Sequence, residues 1–200
     1  MRILNRVLIQ FLCVFTFSIL VFTTAVNAQS TYFSRNATNG GNWKSTSSWT
    51  MNSDGSGSAA PSVPQRNDDV VILSGHEIKI TGTNDNGFSG VKPDNVSDPD
   101  NNIGPFNGSN TAMFYHTGAI TIESGGTFDV NKPIMLAGAT SISGTLETNG
   151  DLVNIGRMDV YSGGALDIGD DFILSGNSET NLDVSAFSAD DIYFDENPGD

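Results

Sequence analysis

The sequence predicts an all-β protein, a right-handed single-stranded parallel β-helix in which short strands wind as successive coils of a solenoid. Three observations predict this fold: a high glycine content of 22 residues, short runs that alternate apolar and polar residues, and an internal repeat in the carboxy-terminal part. Alternation with a period of two is typical of half-buried strands, and so much glycine disfavours a helical bundle. A β-sandwich is the runner-up, because short alternating strands also suit that fold.

Residues 1–28 have the organisation of a secretory signal peptide. Two arginines precede a mostly apolar run from Val7 to Phe22, and Val26-Asn27-Ala28 ends in a small residue suited to cleavage. The run is shorter than the ~20 residues that span a bilayer. The single cysteine, Cys13, lies in this run, so the mature chain contains no disulfide. We expect a secreted or cell-surface protein with no membrane insertion after cleavage.

The mature chain divides into three zones. Residues 29–80 hold both tryptophans and an apolar run, and we expect an amino-terminal cap and the first strands there. Residues 81–117 are rich in Asn, Asp and Gly, which is typical of a loop insertion. Residues 118–200 consist of glycine-punctuated apolar runs. We expect this last zone to form the β-helix rungs.

The rungs repeat with a period of about 19 residues, because Gly118–Leu136 aligns with Gly156–Leu174 at an offset of 38. Gly138–Ile155 is a degenerate copy between them, and a fourth copy begins at Gly176. A repeat of this length cannot bury its apolar side alone, so neighbouring copies must stack. The offset therefore corresponds to two coils.

Each rung is expected to place apolar side chains inside and acids outside. In Phe128-Asp129-Val130 and in Leu166-Asp167-Ile168, alternation directs the apolar pair inward and the acid outward. Gly125-Gly126 and Gly163-Gly164 are expected to adopt positive φ at the corners. Aliphatic ladders inside the coils would then stabilise a chain that has no disulfide.

The amino-terminal zone resembles a family of exported modules. The residues that carry the resemblance are Gly41-Asn42-Trp43 through Trp49, Pro64, Asp68-Asp69 before Val70-Val71-Ile72, and Gly75-His76. This pattern is similar to the eight-glycine domain of secreted Bacteroidetes surface proteins. The resemblance implies an exported β-helical protein concerned with surface polysaccharides or adhesion. The insertion at residues 81–117 departs from the compact pattern.

Outward acids form a first candidate metal site. The repeat places Asp129, Glu147, Asp167 and Asp183 at roughly equivalent positions. Like charges stacked ~4.8 Å apart repel by roughly 1 kcal/mol per pair even in water. A Ca²⁺ ion bound by these carboxylates would relieve the repulsion. The alternative is a solvated acidic face whose side chains splay apart.

A second candidate calcium site lies in the insertion. Asp98, Asp100 and Asn102 follow a D-x-D-x-N spacing that places oxygen ligands on one side of a loop. No glutamate follows at the twelfth position, so this is not an EF-hand loop. The alternative is an ordinary Asn/Asp turn.

Aromatic residues are candidates for carbohydrate binding, since an aromatic face suits the C–H face of a pyranose. Phe106, Phe114 and Tyr115 lie in or beside the insertion and are the better candidates. Trp43 and Trp49 are expected instead to seal the amino-terminal end of the core.

Charge and residue spacing restrict the function. The formal net charge of −14 excludes nucleic-acid binding through phosphate neutralisation. No spacing singles out a nucleophile, base or acid, and the two histidines are isolated. We therefore expect a non-enzymatic surface module for carbohydrate binding or adhesion, with a polysaccharide or cell-surface component as its partner. The alternatives are a calcium-dependent polysaccharide lyase or glycoside hydrolase on the same fold, and a structural spacer of a larger adhesin.

The carboxy-terminal end has an expected partner of its own. The fourth repeat is acidic and is followed by no recognisable cap before Asp200. Solenoids need their ends covered. We therefore expect a continuation of the chain, or a capping partner, at this end.

Overall fold

Parallel strand pairing defines the architecture of this protein. The structure is a computed structural model, and it describes residues 29–35, 37–38, 40–81, 114–175 and 178–195. The described chain forms a β-solenoid of about four turns. The predicted parallel β-helix is confirmed, and the parallel pairing excludes the β-sandwich. The predicted leader, residues 1–28, lies outside the described residues.

Short connections join the successive strands from Ile120 onward, whereas longer segments separate some of the earlier strands. Those before the regular coils are β1 (Thr31–Ser34), β2 (Gly41–Asn42), β3 (Trp49–Thr50), β4 (Asp69–Ile72), β5 (Glu77–Ile80) and β6 (Phe114–His116). Those of the regular coils are β7 (Ile120–Ile122), β8 (Thr127–Val130), β9 (Ile134–Leu136), β10 (Thr140–Ile142), β11 (Thr145–Thr148), β12 (Leu152–Asn154), β13 (Arg157–Ile168), β14 (Phe172–Ser175), β15 (Glu179–Ser188) and β16 (Ile192–Asp195). A single 3₁₀ turn, Thr46–Ser48, is the helical segment of the described part. No helix in that part is long and apolar enough to cross a membrane.

Successive coils stack their strands into three faces. The first face contains β1, β4, β7, β10 and the start of β13. The second contains β2, β5, β8, β11 and the end of β13. The third contains β6, β9, β12, β14 and β16. Because β13 runs across the corner between the first two faces, they form one continuous sheet.

The internal repeat corresponds to the stacking of the coils. Phe128, Leu146 and Leu166 are direct neighbours on the second face, and all three are buried. Leu146 belongs to the degenerate copy Gly138–Ile155, which supplies the coil between the two clearer copies. The predicted offset of two coils is therefore confirmed.

The glycine pairs at the corners serve two different purposes. Gly125 and Gly163 have φ values of 79° and 94°, as predicted for the first glycine of each pair. Gly126 and Gly164 do not have positive φ in the structure. A Cβ atom on Gly164 would instead lie 2.6 Å from the carbonyl oxygen of Ile142 in the preceding coil. The second glycine therefore permits close stacking of the coils.

Aromatic side chains close the amino-terminal end. Trp43 and Trp49 are buried, with ring centroids 5.0 Å apart in an edge-to-face arrangement. The indole Nε1 of Trp49 donates a hydrogen bond of 2.8 Å to the main-chain carbonyl of Trp43. Trp43 also packs against Phe114 and Phe128, at centroid distances of 4.9 and 5.4 Å. The predicted sealing role of the two tryptophans is confirmed.

The carboxy-terminal end of the described solenoid is open. β15 pairs with β13 along one edge, and no described strand pairs with its other edge. Leu182 and Ile192 are 43% and 47% exposed, although they stack on the buried residues Val160 and Phe172 of the preceding coil. The last described coil thus presents its interior positions to solvent.

Candidate functional site

Three predicted acids stack on the second face. Asp129, Glu147 and Asp167 occupy equivalent positions of β8, β11 and β13, and we call these three residues the acidic column. Lys79 of β5 precedes Asp129 in the same ladder, and Ser188 of β15 follows Asp167. The predicted outward alignment of these three acids is confirmed.

The two ends of the acidic column are compensated by neighbouring side chains. Lys79 Nζ lies 3.5 Å from Asp129 Oδ2 and 2.9 Å from Glu77 Oε1. At the other end, Ser188 Oγ donates a hydrogen bond of 2.5 Å to Asp167 Oδ1. The side chains of these ion pairs are about one-third exposed, so solvent screens the pairs and each contributes little to stability.

Glu147, at the centre of the column, bears the uncompensated repulsion. Its partial burial raises the pKa of the Glu147 carboxyl, and the charges of Asp129 and Asp167 raise it further, against the opposing effect of Lys79. Two acidic neighbours therefore act on a group that is already partly removed from water. Stacked carboxylate oxygens of this kind are ligands that Ca²⁺ accepts with little geometric demand.

Asp183 does not join the acidic column, contrary to prediction. The pairing of β15 with β13 shifts register between the partners of Val160 and Gly164, and Asp183 lies within that irregular stretch. Ser188 stacks on Asp167 instead. The prediction was wrong because it assumed a uniform repeat: Asp183 is the single residue of β15 that lies opposite the three residues of β13 between Val160 and Gly164, five positions before Ser188.

A second group of acids, which the sequence analysis missed, lies at the entrance to the third face. Carboxylate oxygens of Asp151, Asp170 and Asp171 lie within 4.8 Å of one another. The main-chain N–H of Asp171 donates a hydrogen bond of 3.3 Å to Asp151 Oδ1, and Asp151 is buried. The available signal was an aspartate directly before the apolar third strand of successive coils: Asp151, Asp171 and Asp191.

The aromatic candidates occupy different environments. Phe114 is buried and stacks on His116 at a centroid distance of 5.8 Å. The sugar-binding prediction for Phe114 is therefore wrong, since its ring forms part of the sealed end. Tyr115 points to the opposite side of β6, where the guanidinium carbon of Arg66 lies 4.8 Å from its ring centroid. The remaining candidates, Phe106, Asp98, Asp100 and Asn102, lie outside the described residues.

His116 is buried in the core, and His76 contacts a serine of β1. Burial lowers the pKa of His116 to about 4, although interactions with Asp68 and Asp69 oppose the shift. His76 Nδ1 shares a hydrogen bond of 2.8 Å with Ser34 Oγ. His116 therefore stays neutral at physiological pH and contributes to the core near the sealed end.

Comparison with known proteins adds no functional information. Searches against protein-family models, characterised proteins and solved structures find no significant match for this chain.

Proposed function

We propose that this protein is an exported, non-enzymatic β-solenoid module that mediates surface contact and is extended at its carboxy-terminal end. The contrast between the two ends is the observation that supports this most directly. Buried tryptophans close one end, whereas Leu182 and Ile192 are exposed at the other. An unpaired strand edge is a template for a further strand, so the open end suits a continuing coil or a capping partner.

Extension of the solenoid tests this proposal. A copy of residues 156–195 attached after Asp195 would supply further coils of the same length. We expect the melting temperature to rise because the added coils bury Leu182 and Ile192. The same extension in a Leu182→Asp background should give a smaller gain, since the charge would then be buried at the junction. An extended protein that melts no higher than the original would contradict the proposal.

The contact partner we propose is a polysaccharide or another cell-surface component. The resemblance of the amino-terminal zone to the eight-glycine domain supports this class of partner, and Tyr115 offers a half-buried ring on the outer side of the third face. A glycan array with the Tyr115→Ala variant tests the role of this ring. Tyr161, which is 50% exposed, provides the matched control Tyr161→Ala. Binding that is lost only in the Tyr115 variant supports the proposal, and binding equal in both variants and the original contradicts this role.

Lys79, the basic residue beside the acidic column, gives little support to the enzymatic alternative. A lyase needs a base with a pKa near the operating pH. Lys79 lies beside the acidic column, but its hydrogen bond to Glu77 and its charged neighbours raise the pKa of its ammonium group. Lys79 is therefore a poor candidate for that base.

The calcium prediction is tested by melting the protein with added Ca²⁺ and with a chelator. An ion that binds only the folded state should raise the melting temperature, and the rise should grow with the free Ca²⁺ concentration above the dissociation constant. Equal melting temperatures in both conditions would exclude a stabilising calcium site. Glu147→Gln and Asp151→Asn variants would separate the acidic column from the second acidic group.

A further inference from the structure

Negative charge is concentrated toward the open end of the solenoid. Residues 29–80, which include the sealed end, carry four acidic and four basic side chains. Residues 114–155 carry four acidic side chains and one basic side chain. Residues 156–195, which form the last two described coils, carry nine acidic side chains and one basic side chain, Arg157. The open end is therefore the most acidic part of the described chain.

In these last two coils, the later coil supplies hydrogen-bond donors to acids of the earlier one. The side-chain amide of Asn181 donates a hydrogen bond of 2.8 Å to Asp159 Oδ1. Ser188 Oγ donates one of 2.5 Å to Asp167 Oδ1. Each donor stacks directly on its acceptor in the pairing of β15 with β13. These two outward acids are thus compensated by the coil that stacks on them.

The last described coil presents acids of its own, and no described coil stacks on it. Glu179, Asp183 and Asp190 are exposed. Arg157 Nη1 lies 3.6 Å from Glu179 Oε2, but Arg157 belongs to the preceding coil. A strand added to the free edge of β15 would lie ~4.8 Å away. Its side chains would therefore lie over these acids, at a distance where opposite charges attract and like charges repel.

Apolar side chains accompany these acids at the open end. Leu182 and Ile192 are exposed, and Val184 and Phe187 are partly buried against the core. The free edge of β15 also carries main-chain groups that a further strand can pair with. A polypeptide that adds a strand here would bury apolar surface and form main-chain hydrogen bonds at the same time.

We propose that a separate basic polypeptide caps the open end by adding a strand parallel to β15, with lysine or arginine side chains over the exposed acids. Charge complementarity favours this occupant, which rests on the proposed function and specifies its capping partner. A further coil with the same acids would also bury Leu182 and Ile192, but it would bring like charges together. A basic strand buries the same apolar side chains and pairs its charges with those of Glu179, Asp183 and Asp190.

A second copy of this chain fits the open end less well. Two open ends in contact would place their acids against each other. Stacking of the sealed end of one copy on the open end of another would set β3 antiparallel to β15, because β3 runs antiparallel to β1. The parallel ladder would then be interrupted at the junction. A separate basic strand meets neither obstacle.

Binding of two synthetic peptides to the full chain tests the proposal. The acidic peptide is residues 178–195 of this chain, and the basic peptide is the same segment with Glu179→Lys, Asp183→Lys and Asp190→Lys. Both peptides keep the same apolar side chains. In isothermal titration calorimetry at low salt, we expect the basic peptide to bind more tightly by a factor on the order of ten, since each exposed pair changes from repulsion to attraction. High salt should reduce this factor.

Two variants of the full chain with the same net charge locate the interaction. Glu179→Lys with Asp183→Lys should abolish the preference for the basic peptide. Asp54→Lys with Glu123→Lys, at exposed positions away from the open end, should retain it. Leu182→Asp should weaken the binding of both peptides, because a charge would be buried at the junction. Equal binding of the two peptides to the original chain, or a preference that survives the first variant, would overturn the proposal.

Tethering decides the question if neither free peptide binds measurably. Each peptide is then attached after Asp200 through a flexible Gly/Ser linker, which makes docking intramolecular. The basic extension should raise the melting temperature more than the acidic one. Equal rises would overturn this proposal and leave the proposed function intact, whereas no rise with either extension would contradict both. Self-association of the original chain in analytical ultracentrifugation that Leu182→Asp abolishes would assign the open end to a second copy and overturn the proposal.

Discussion

Replacement of Glu147 by glutamine should stabilise the protein at neutral pH. Glu147 lies between Asp129 and Asp167 in the acidic column. Partial burial and these two neighbours raise the pKa of its carboxyl. Glutamine has nearly the same shape and removes the charge, so the packing of β11 is retained while the repulsion is lost.

The magnitude follows from the spacing of the coils. Unit charges ~4.8 Å apart repel by about 0.9 kcal/mol in water. Physiological salt reduces each term to roughly half, because the Debye length is about 8 Å. Two acidic neighbours then give a gain of about 1 kcal/mol for Glu147→Gln. For a chain of this size, such a gain raises the melting temperature by about 2–4 °C.

The pH dependence of the gain identifies its source. A carboxyl whose folded-state pKa is raised destabilises the fold only once it ionises. The stability of the original protein therefore falls as the pH rises from 4.5, the ordinary pKa of a glutamate carboxyl, through the higher folded-state pKa. The advantage of Glu147→Gln should be absent at pH 3.5 and complete at pH 7. Circular-dichroism melts at both pH values, in low and high salt, measure it.

Asp159→Asn is the matched control for this substitution. Asp159 also points outward, but Arg157 and Asn181 bond to its carboxylate and lower its pKa. The control substitution should therefore reduce stability at neutral pH, with the opposite sign to Glu147→Gln. An advantage of Glu147→Gln that persists unchanged at pH 3.5, or is absent at pH 7 in low salt, would refute the repulsion argument.

Three further predictions concern the core and the corners. Burial lowers the pKa of His116 to about 4. The contribution of neutral His116 to the free energy of unfolding should therefore be fully present above pH 6.5 and should fall by roughly 3 kcal/mol as the pH falls from 6.5 to 4. In denaturant titrations, His116→Gln should lose this dependence on pH. Gly163→Ala should cost about 1–2 kcal/mol through its positive φ, and Gly164→Ala should cost more in thermal melts because its new Cβ would clash with a main-chain carbonyl. Trp43→Ala should cost about 3–5 kcal/mol, whereas Tyr161→Ala, at an exposed position, should change stability by less than about 0.5 kcal/mol. Equal effects of the two aromatic substitutions would contradict the sealing role.

The nearly constant spacing of the internal repeat explains why the coils could be predicted from the sequence. Alternation around Phe128 and Leu166 specifies which side chains are buried, and the offset between them specifies how the coils stack. Glycine pairs at fixed positions mark the corners. These are local signals repeated along the chain, so each copy supports the interpretation of the others.

The errors and omissions arise where the repeat is irregular or where the signal is short. Asp183 was misplaced because the last described strand crosses the corner with fewer residues than β13, so equal spacing along the chain does not give equal positions in the coil. Phe114 was taken for a surface ring because its neighbours in sequence belong to the insertion, while its burial depends on Trp43, distant in sequence. Asp151 and Asp171 were missed because single aspartates before a strand resemble ordinary turn residues.

Distances along the first face test the coiled stacking most directly. Thr121, Ser141, Asp159 and Asn181 point outward from successive coils in one ladder. Spin labels attached in pairs, with Thr121 common to all, should report separations that increase by about 4.8 Å per coil. Separations that do not increase with the number of intervening coils would contradict the parallel, in-register solenoid.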